Sequence, residues 1–249
     1  MELTKEELLG RWEDIREIRN VMGRISADYV LREERRMFDA YWSKRDDVCL
    51  GINTGYYVGP EAVKGYYAYQ DRIIAKESKK IQELFPEELG DKSAEEVYGV
   101  GMMDYKPTDT YVVEEAVDGQ TAKGMWMIRG AHSKLTTGGP AAYWEWGWFA
   151  VDFILEDGAW KVWHMLYLQD INRIAGQKWT GEEKGFKERE EFAGWTEEEL
   201  PTPTVSMTVH ETYHAKRAFS GSPKLPEPYD TFANTFSYGY TEDGKGGAF

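Results

Sequence analysis

Val151-Asp152-Phe153-Ile154-Leu155-Glu156-Asp157-Gly158-Ala159-Trp160-Lys161-Val162-Trp163-His164 is the stretch that decides the fold. Apolar alternation runs on both sides of an Asp-Gly pair, the pattern of two antiparallel strands joined by a two-residue type I′ turn. Such a turn fixes register, so Glu156 faces Ala159, Leu155 faces Trp160, and the pairing continues outward. Opposed residues share a face, and faces alternate along each strand. One face then holds Tyr143, Glu145, Gly147, Phe149, Val151 and Phe153, opposite Trp160, Val162, His164, Leu166 and Leu168. It is apolar with a few polar groups, which is how a ligand cavity is built. The other face carries Trp144, Trp146, Trp148, Trp163, Met165 and Tyr167. That aromatic belt is too large to leave in water, so it predicts a covering arm or a subunit interface.

A second Asp-Gly pair, Asp118-Gly119, predicts an earlier hairpin. Its register puts Ala122, Gly124, Trp126, Ile128, Gly130 and His132 on one face, with Lys134 following if the strand continues. Lys123, Met125, Met127 and Arg129 take the alternate face. Small residues at 122 and 124 suggest a face lying close under a helix. His132 and His164 are therefore both expected in the interior, from different strands.

Upstream the apolar period is helical. Thr4-Lys5-Glu6-Glu7 is a capping box, and Leu8, Trp12, Ile15, Met22, Ile25 and Tyr29 follow as one stripe of a long helix. A second helix is expected around Glu33–Lys44. Ile52–Val58 reads as a short strand broken by Gly55, and Gly59-Pro60 opens a third helix. Residues 76–98 read as an inserted loop or a broken helix. Helices first and long antiparallel strands after give an α+β fold. Two regions are expected: residues 1–175 as the folded domain, and 176–249 as a Pro- and aromatic-rich extension packed on the domain or on a neighbouring subunit.

At 249 residues the chain is long enough for a sizeable core. Its net charge of −14 and lack of a basic cluster argue against nucleic acid and anionic membrane as partners. No apolar run approaches the ~20 residues of a membrane span. The first residues contain no apolar segment of the signal-peptide kind. One cysteine, Cys49, excludes an intrachain disulfide and a Cys-rich zinc site, and fits a cytoplasmic setting. Ten Trp, 16 Tyr and 10 Phe suit aromatic-lined pockets and interfaces, or simply a Trp-rich core.

Three stretches carry a family resemblance. Tyr56-Tyr57-Val58-Gly59-Pro60-Glu61-Ala62-Val63-Lys64-Gly65-Tyr66-Tyr67 resembles the strand-to-helix joint of the SnoaL-like proteins of the nuclear transport factor 2-like superfamily. Val117-Asp118-Gly119-Gln120-Thr121-Ala122-Lys123-Gly124 is similar to their first long hairpin, and Val151 through His164 to their second. The resemblance spans residues 8–172. It implies a cone-shaped α+β barrel with a cavity between sheet and helices, dimers or trimers formed through the outer sheet face, and chemistry without a cofactor. A frequent family pattern sets a Tyr and an Asp of the first helices beside a strand His. This chain has Ile25 where the Tyr is usual, with Tyr29 the nearest phenol. It has Leu31-Arg32 near the usual Asp, with Asp28 and Asp39 displaced. The long Pro- and Tyr-rich C-terminal arm is similar to a subgroup that includes diarylpropane γ-formaldehyde lyases, which act on lignin-derived phenolic dimers.

The resemblance and the register together give a set of expected roles. The function implied is a cofactor-independent lyase or dehydratase of a small phenolic substrate. His132 and His164 would move protons, Lys134 would stabilise a phenolate, and Tyr29 would donate from the helix side. Glu145, if buried, would have a raised pKa and act as an acid. Trp126, Tyr143, Phe149 and Leu166 would line the substrate. The same residues also fit a non-catalytic binding module, in which His132 and His164 share no solvent-facing space. A third reading comes from His210-Glu211-Thr212-Tyr213-His214, which matches H-E-x-x-H and on a helix would bind zinc. Flanking prolines and Val205, Thr208 and Val209 favour extension there, so no metal is expected.

Overall fold

The computed structural model describes residues 4–136, 139–176, 202–206, 210, 212–213, 216, 218, 223–241 and 247–249, without the side chains of residues 70, 73, 134 and 136. It is an α+β fold. Helix α1 (Lys5–Leu31) begins at the expected capping box: Thr4 Oγ1 accepts the Glu7 N–H at 3.2 Å, and Glu7 Oε2 accepts the Thr4 N–H at 2.7 Å. Its buried stripe is Ile18, Met22, Ile25 and Tyr29, whereas Leu8 and Trp12, expected on the same stripe, are exposed. The expected second helix is a 3₁₀ turn (Glu34–Arg36) followed by α2 (Met37–Tyr41). A hairpin, β1 (Cys49–Ile52) and β2 (Gly55–Val58), leads into α3 (Pro60–Leu84). The stretch 76–98 is the end of α3 and two short helices, α4 (Pro86–Leu89) and α5 (Ala94–Val97).

Six strands follow: β3 (Met103–Tyr105), β4 (Thr108–Glu115), β5 (Thr121–Thr136), β6 (Gly139–Glu156), β7 (Ala159–Ile174) and β8 (Val205–Ser206). The sheet runs β3-β5-β6-β7-β1-β2-β8, with β4 also on β5, and β1 lies parallel to β7. Among the described residues the path ends at β3 and β8, so the expected cone-shaped α+β arrangement is an open sheet and not a closed barrel. Asp157 (φ 51°) and Gly158 (φ 73°) form the expected I′ turn. At the first hairpin only Gly119 has positive φ (68°), and its N–H reaches the Ala116 carbonyl at 3.0 Å. The connection is therefore longer, although Glu115 still faces Ala122 as the register required.

The main departure lies in β7. Val162 pairs with Phe153, but the next pair is His164 with Asp152, so Trp163 is an extra residue. Further on, Gln169 pairs with Gly147 and Ile171 with Trp146, which leaves Asp170 extra. Each β-bulge shifts the side-chain phase by one. Between them Met165 and Tyr167 point to the helix-covered inner core, and His164, Leu166 and Leu168 to the outer face. The placement of His164, Leu166 and Leu168 beside Phe149, and of Met165 and Tyr167 in the outer belt, is thereby corrected, whereas the bulged Trp163 stacks on His164 at 4.4 Å and on Phe232 of the arm at 4.5 Å.

The described part of the arm covers the outer face. Phe236, Tyr238, Tyr240 and Ala248 pack on Cys49, Tyr56, Ala150, Leu166 and Leu168. Among the described residues no helix is long and apolar enough to cross a membrane.

Candidate functional site

Asp104, His132 and Tyr143 stand in one row across β3, β5 and β6, and Glu145 pairs with Gly130 in the adjoining step. A Cβ on Gly130 would lie 2.5 Å from the Tyr105 carbonyl, so glycine lets β3 close in over the row. That approach carries Lys106 inward, where Ser26 Oγ of α1 donates to its carbonyl at 2.7 Å. Lys106 Nζ forms an ion pair with Asp104, lies 3.9 Å from Glu145 Oε2, and sits 4.5 Å from the centre of the Tyr29 ring. The Tyr167 hydroxyl donates to Glu145 Oε1. His132 Nδ1 lies 3.5 Å from Glu145 Oε2, and the ring stacks on Tyr143 at 4.6 Å. Phe149 stacks on Tyr167 at 4.9 Å and lies 6.4 Å from Tyr29.

The electrostatics follow from burial against partners. Burial alone would push the Glu145 carboxyl up. Lys106, His132 and the Tyr167 hydroxyl outweigh it and hold the group down, to about 2. Glu145 is therefore held as a carboxylate, and the expected raised pKa, on which the acid role depended, is corrected. Burial pulls Lys106 down, but Asp104 and Glu145 raise it above the ordinary lysine value, so it stays an ammonium. Burial pushes Tyr29 and Tyr167 well up, and burial lifts Tyr66 of α3 to about 12, with the negative field of Glu145 adding to each shift in Tyr167 and Tyr66. All three phenols remain protonated donors.

Asp104, His132 and Glu145 bring one ligand atom each to within 4.8 Å of one another, a spacing that suits a metal ion. Lys106 already stands on both carboxylates and supplies the positive charge that an ion would bring. A divalent ion beside a buried ammonium is a poor electrostatic fit. Asp104 Oδ1 is buried with no hydrogen-bond partner, and His132 Nδ1 has none besides its approach to Glu145. The His132 side chain is 17% exposed and that of Asp104 28%, against 2% for Glu145, so the row opens toward its His132–Asp104 end.

The structure brings His132, Glu145, Tyr29, Tyr143 and Phe149 together on the inner face. Trp126, opposed to Phe149, lies two pair-steps from Glu145 and is edge-on to Phe153. The Lys134 side chain lies outside the described residues. His164 and Leu166 are across the sheet. There His164 Nδ1 meets Asp152 Oδ2 at 2.9 Å, and Lys123 Nζ meets Asp152 Oδ1 at 2.5 Å. Sequence reasoning missed Lys106, Asp104, Tyr66 and the inward Tyr167. No alternation marks Lys106 in Asp104-Tyr105-Lys106-Pro107, and Tyr167 is displaced by the bulge.

Of the H-E-x-x-H segment, Glu211 and His214 lie outside the described residues. His210, Thr212 and Tyr213 are not helical, so the one-face spacing that motivates zinc does not arise at those three.

No family model matches the sequence, and no curated protein is similar to it. Solved structures of similar fold include a type 2 hexachlorocyclohexane dehydrochlorinase, with 16% identity over 68% of this chain and 94% of that one and a TM-score of 0.46. The type 3 enzyme from Novosphingobium barchaimii gives 14% identity over 70% and 99%, with a TM-score of 0.45. A Mycobacterium tuberculosis protein of unknown function gives 15% over 66% and 75%, with a TM-score of 0.44. Likeness at this level assigns this chain neither a family nor an activity.

Proposed function

We propose that this protein is a lyase or dehydratase that works by proton transfer on a small phenolic substrate, without a metal or organic cofactor. The observation that carries the reading is the buried Glu145 carboxylate set against His132, with Lys106 and the Tyr167 hydroxyl fixing its charge. A buried carboxylate behind an imidazole orients the ring and makes it a proton carrier. Nδ1 faces Glu145, so Nε2 is the nitrogen left to meet a substrate. Tyr29, Tyr143 and Phe149 supply aromatic walls for a phenyl ring.

The substrate class we favour is a lignin-type dimer with a para-hydroxyphenyl ring, a benzylic hydroxyl and a neighbouring hydroxymethyl group. Removal of the phenolic proton and protonation of the departing benzylic hydroxide give water and a quinone methide. Removal of the hydroxymethyl O–H proton then breaks the adjacent carbon–carbon bond. Formaldehyde leaves, and the electron pair returns to the ring as a stilbene phenolate. The His132–Glu145 pair handles the protons, and Lys106, the cation set against Asp104 and Glu145, stabilises the developing phenolate. The dehydrochlorinases of similar fold are named for an elimination of a different substrate.

The second reading is a non-catalytic binding module. It is favoured by one observation, that His132 and His164 lie on opposite faces and share no space. The deciding experiment is a turnover screen of metal-free protein against phenolic dimers, reading formaldehyde and stilbene absorbance together. Turnover lost in His132→Ala and Glu145→Gln supports the lyase. Tight binding of the same dimers with no product supports the module.

Assembly through the outer sheet face belongs to the same proposal, because Trp144 and Met127 are 44% and 38% exposed there. Light scattering on the purified chain tests it: a monomer sinks this part.

A further inference from the structure

The H-E-x-x-H segment contacts β7 at its second bulge. His210 Nε2 donates to the Gln169 carbonyl at 3.3 Å and lies 3.5 Å from Asp170 Oδ1. The Tyr213 N–H donates to the Asp170 carbonyl at 2.8 Å, and Trp148 Nε1 donates to Asp170 Oδ2 at 2.8 Å. The bulged residue is thus held from the outer face at its backbone and its side chain. On the inner face Gln169 Nε2 donates to the Tyr167 hydroxyl at 3.0 Å, and Asn172 Nδ2 donates to Gln169 Oε1 at 3.3 Å. Tyr167 in turn donates to Glu145. A path therefore crosses the sheet from His210 to the Gln169 carbonyl, through the covalent frame of Gln169 to its side-chain amide, and by hydrogen bonds through Tyr167 to the carboxylate beside His132.

We infer that His210 is a positioning residue: the C-terminal arm fixes the Asp170 bulge and, through Gln169, sets the Tyr167 hydroxyl on Glu145. The bulge needs such a strut. An extra residue in a ladder is unpaired, and its backbone groups require partners from elsewhere. Here the Asp170 carbonyl takes its donor from the arm, at the Tyr213 N–H, and the Gln169 carbonyl takes one from His210 beside the one from Asn53. Without them the ladder is free to relax, and Gln169 shifts with it. Asn53 also brackets the Gln169 backbone, with bonds of 2.7 and 2.8 Å, so loss of His210 loosens the residue without releasing it. His210 in this reading serves hydrogen bonding through Nε2.

The inference rests on reading Glu145 and His132 as the working pair. Its test therefore reads the pair's protonation and not turnover. With four histidines in the chain, imidazole resonances can be assigned by substitution and followed by NMR against pH. When Tyr167 loosens, Glu145 loses a donor and presents more charge to His132. The imidazolium is then stabilised and the His132 midpoint rises. His210→Ala should raise it by about 0.4–1.5 pH units, the range of couplings carried by packed networks. Gln169→Met, which withdraws the Nε2 donor, should raise it similarly. The double variant should move it no further than either single one. His210→Gln, which keeps a side-chain N–H, should restore the wild-type curve.

An unmoved midpoint in His210→Ala beside a moved one in Gln169→Met overturns the inference, as does full additivity in the double variant. If His210→Ala does not fold, His210→Asn withdraws the reach of the donor while keeping a polar side chain, and carries the same comparison. A moved midpoint with no turnover in any screen overturns the lyase reading alone. Turnover with an unmoved midpoint overturns the strut alone.

Discussion

Two buried carboxylate–histidine–lysine sets sit on opposite faces of the same sheet. On the inner face Glu145 meets His132 and Lys106. On the outer face Asp152 meets His164 and Lys123. Asp152 Oδ2 also accepts the Ser237 hydroxyl at 3.1 Å and the Tyr238 N–H at 2.8 Å. Lys123 is fully buried among arm rings, with Phe236 at 4.5 Å and Phe232 at 4.7 Å. The outer set is covered by the arm. The inner set keeps an unpartnered Asp104 oxygen and an exposed edge at His132. The same residue types make a latch where no buried side-chain atom of the set lacks a partner, and a candidate reaction site where some are left for a ligand.

The largest expected effects separate the two sets. Glu145→Gln should lower turnover by about 10²–10⁴-fold, the usual contribution of a positioned proton-transfer group. His164→Ala should leave kcat within a few fold, and steady-state kinetics on the same dimer compares them. Asp152→Ala removes the partner of a buried ammonium and should cost about 3–5 kcal/mol in urea unfolding. Lys123→Met together with Asp152→Leu should recover much of that loss, because removing both charges removes the unpaired one.

Acid stability sharpens the contrast. Glu145 and Asp152 both titrate lower in the folded chain than in the unfolded one: burial opposes this, while Lys106 for Glu145, and Lys123 with His164 for Asp152, outweigh it. Each therefore contributes stability that is present above its unfolded value and is lost as pH falls toward its folded one. For Glu145 that window runs from its ordinary 4.5 down to about 2. Glu145→Gln should flatten the pH dependence of unfolding in that window while leaving the slope due to Asp152. At the small end, Thr4→Ala should cost about 1 kcal/mol by removing the α1 cap, with no effect on either set.

The α+β order, the capping box, the I′ turn and the inward placement of His132 and Glu145 were all legible in the sequence. Each follows from a local signal or from a turn that counts residues. The phase of β7 was not legible. Trp160-Lys161-Val162-Trp163-His164-Met165-Leu166-Tyr167 is apolar in both phases, so alternation cannot report an extra residue. Nor could the strand show that Lys123 is buried, because the arm that covers it lies about a hundred residues downstream. Lys106 reaches Glu145 by strand pairing across the sheet, which no local pattern encodes.

The two bulges also bear on which length changes the gene can tolerate. A strand in a ladder does not usually survive loss of one codon, since every side chain beyond the gap changes sides. At Trp163 and Asp170 the ladder already skips a residue, so an in-frame deletion there closes the skip and leaves all other faces as they were. Deletion of any residue from His164 to Gln169 instead turns part of that segment inside out. A single-residue deletion at either bulge should therefore keep the sidedness of the rest of the strand while giving up the contacts that Trp163 makes with Asp47 and Phe232, or those that Asp170 makes with Trp148 and Tyr213.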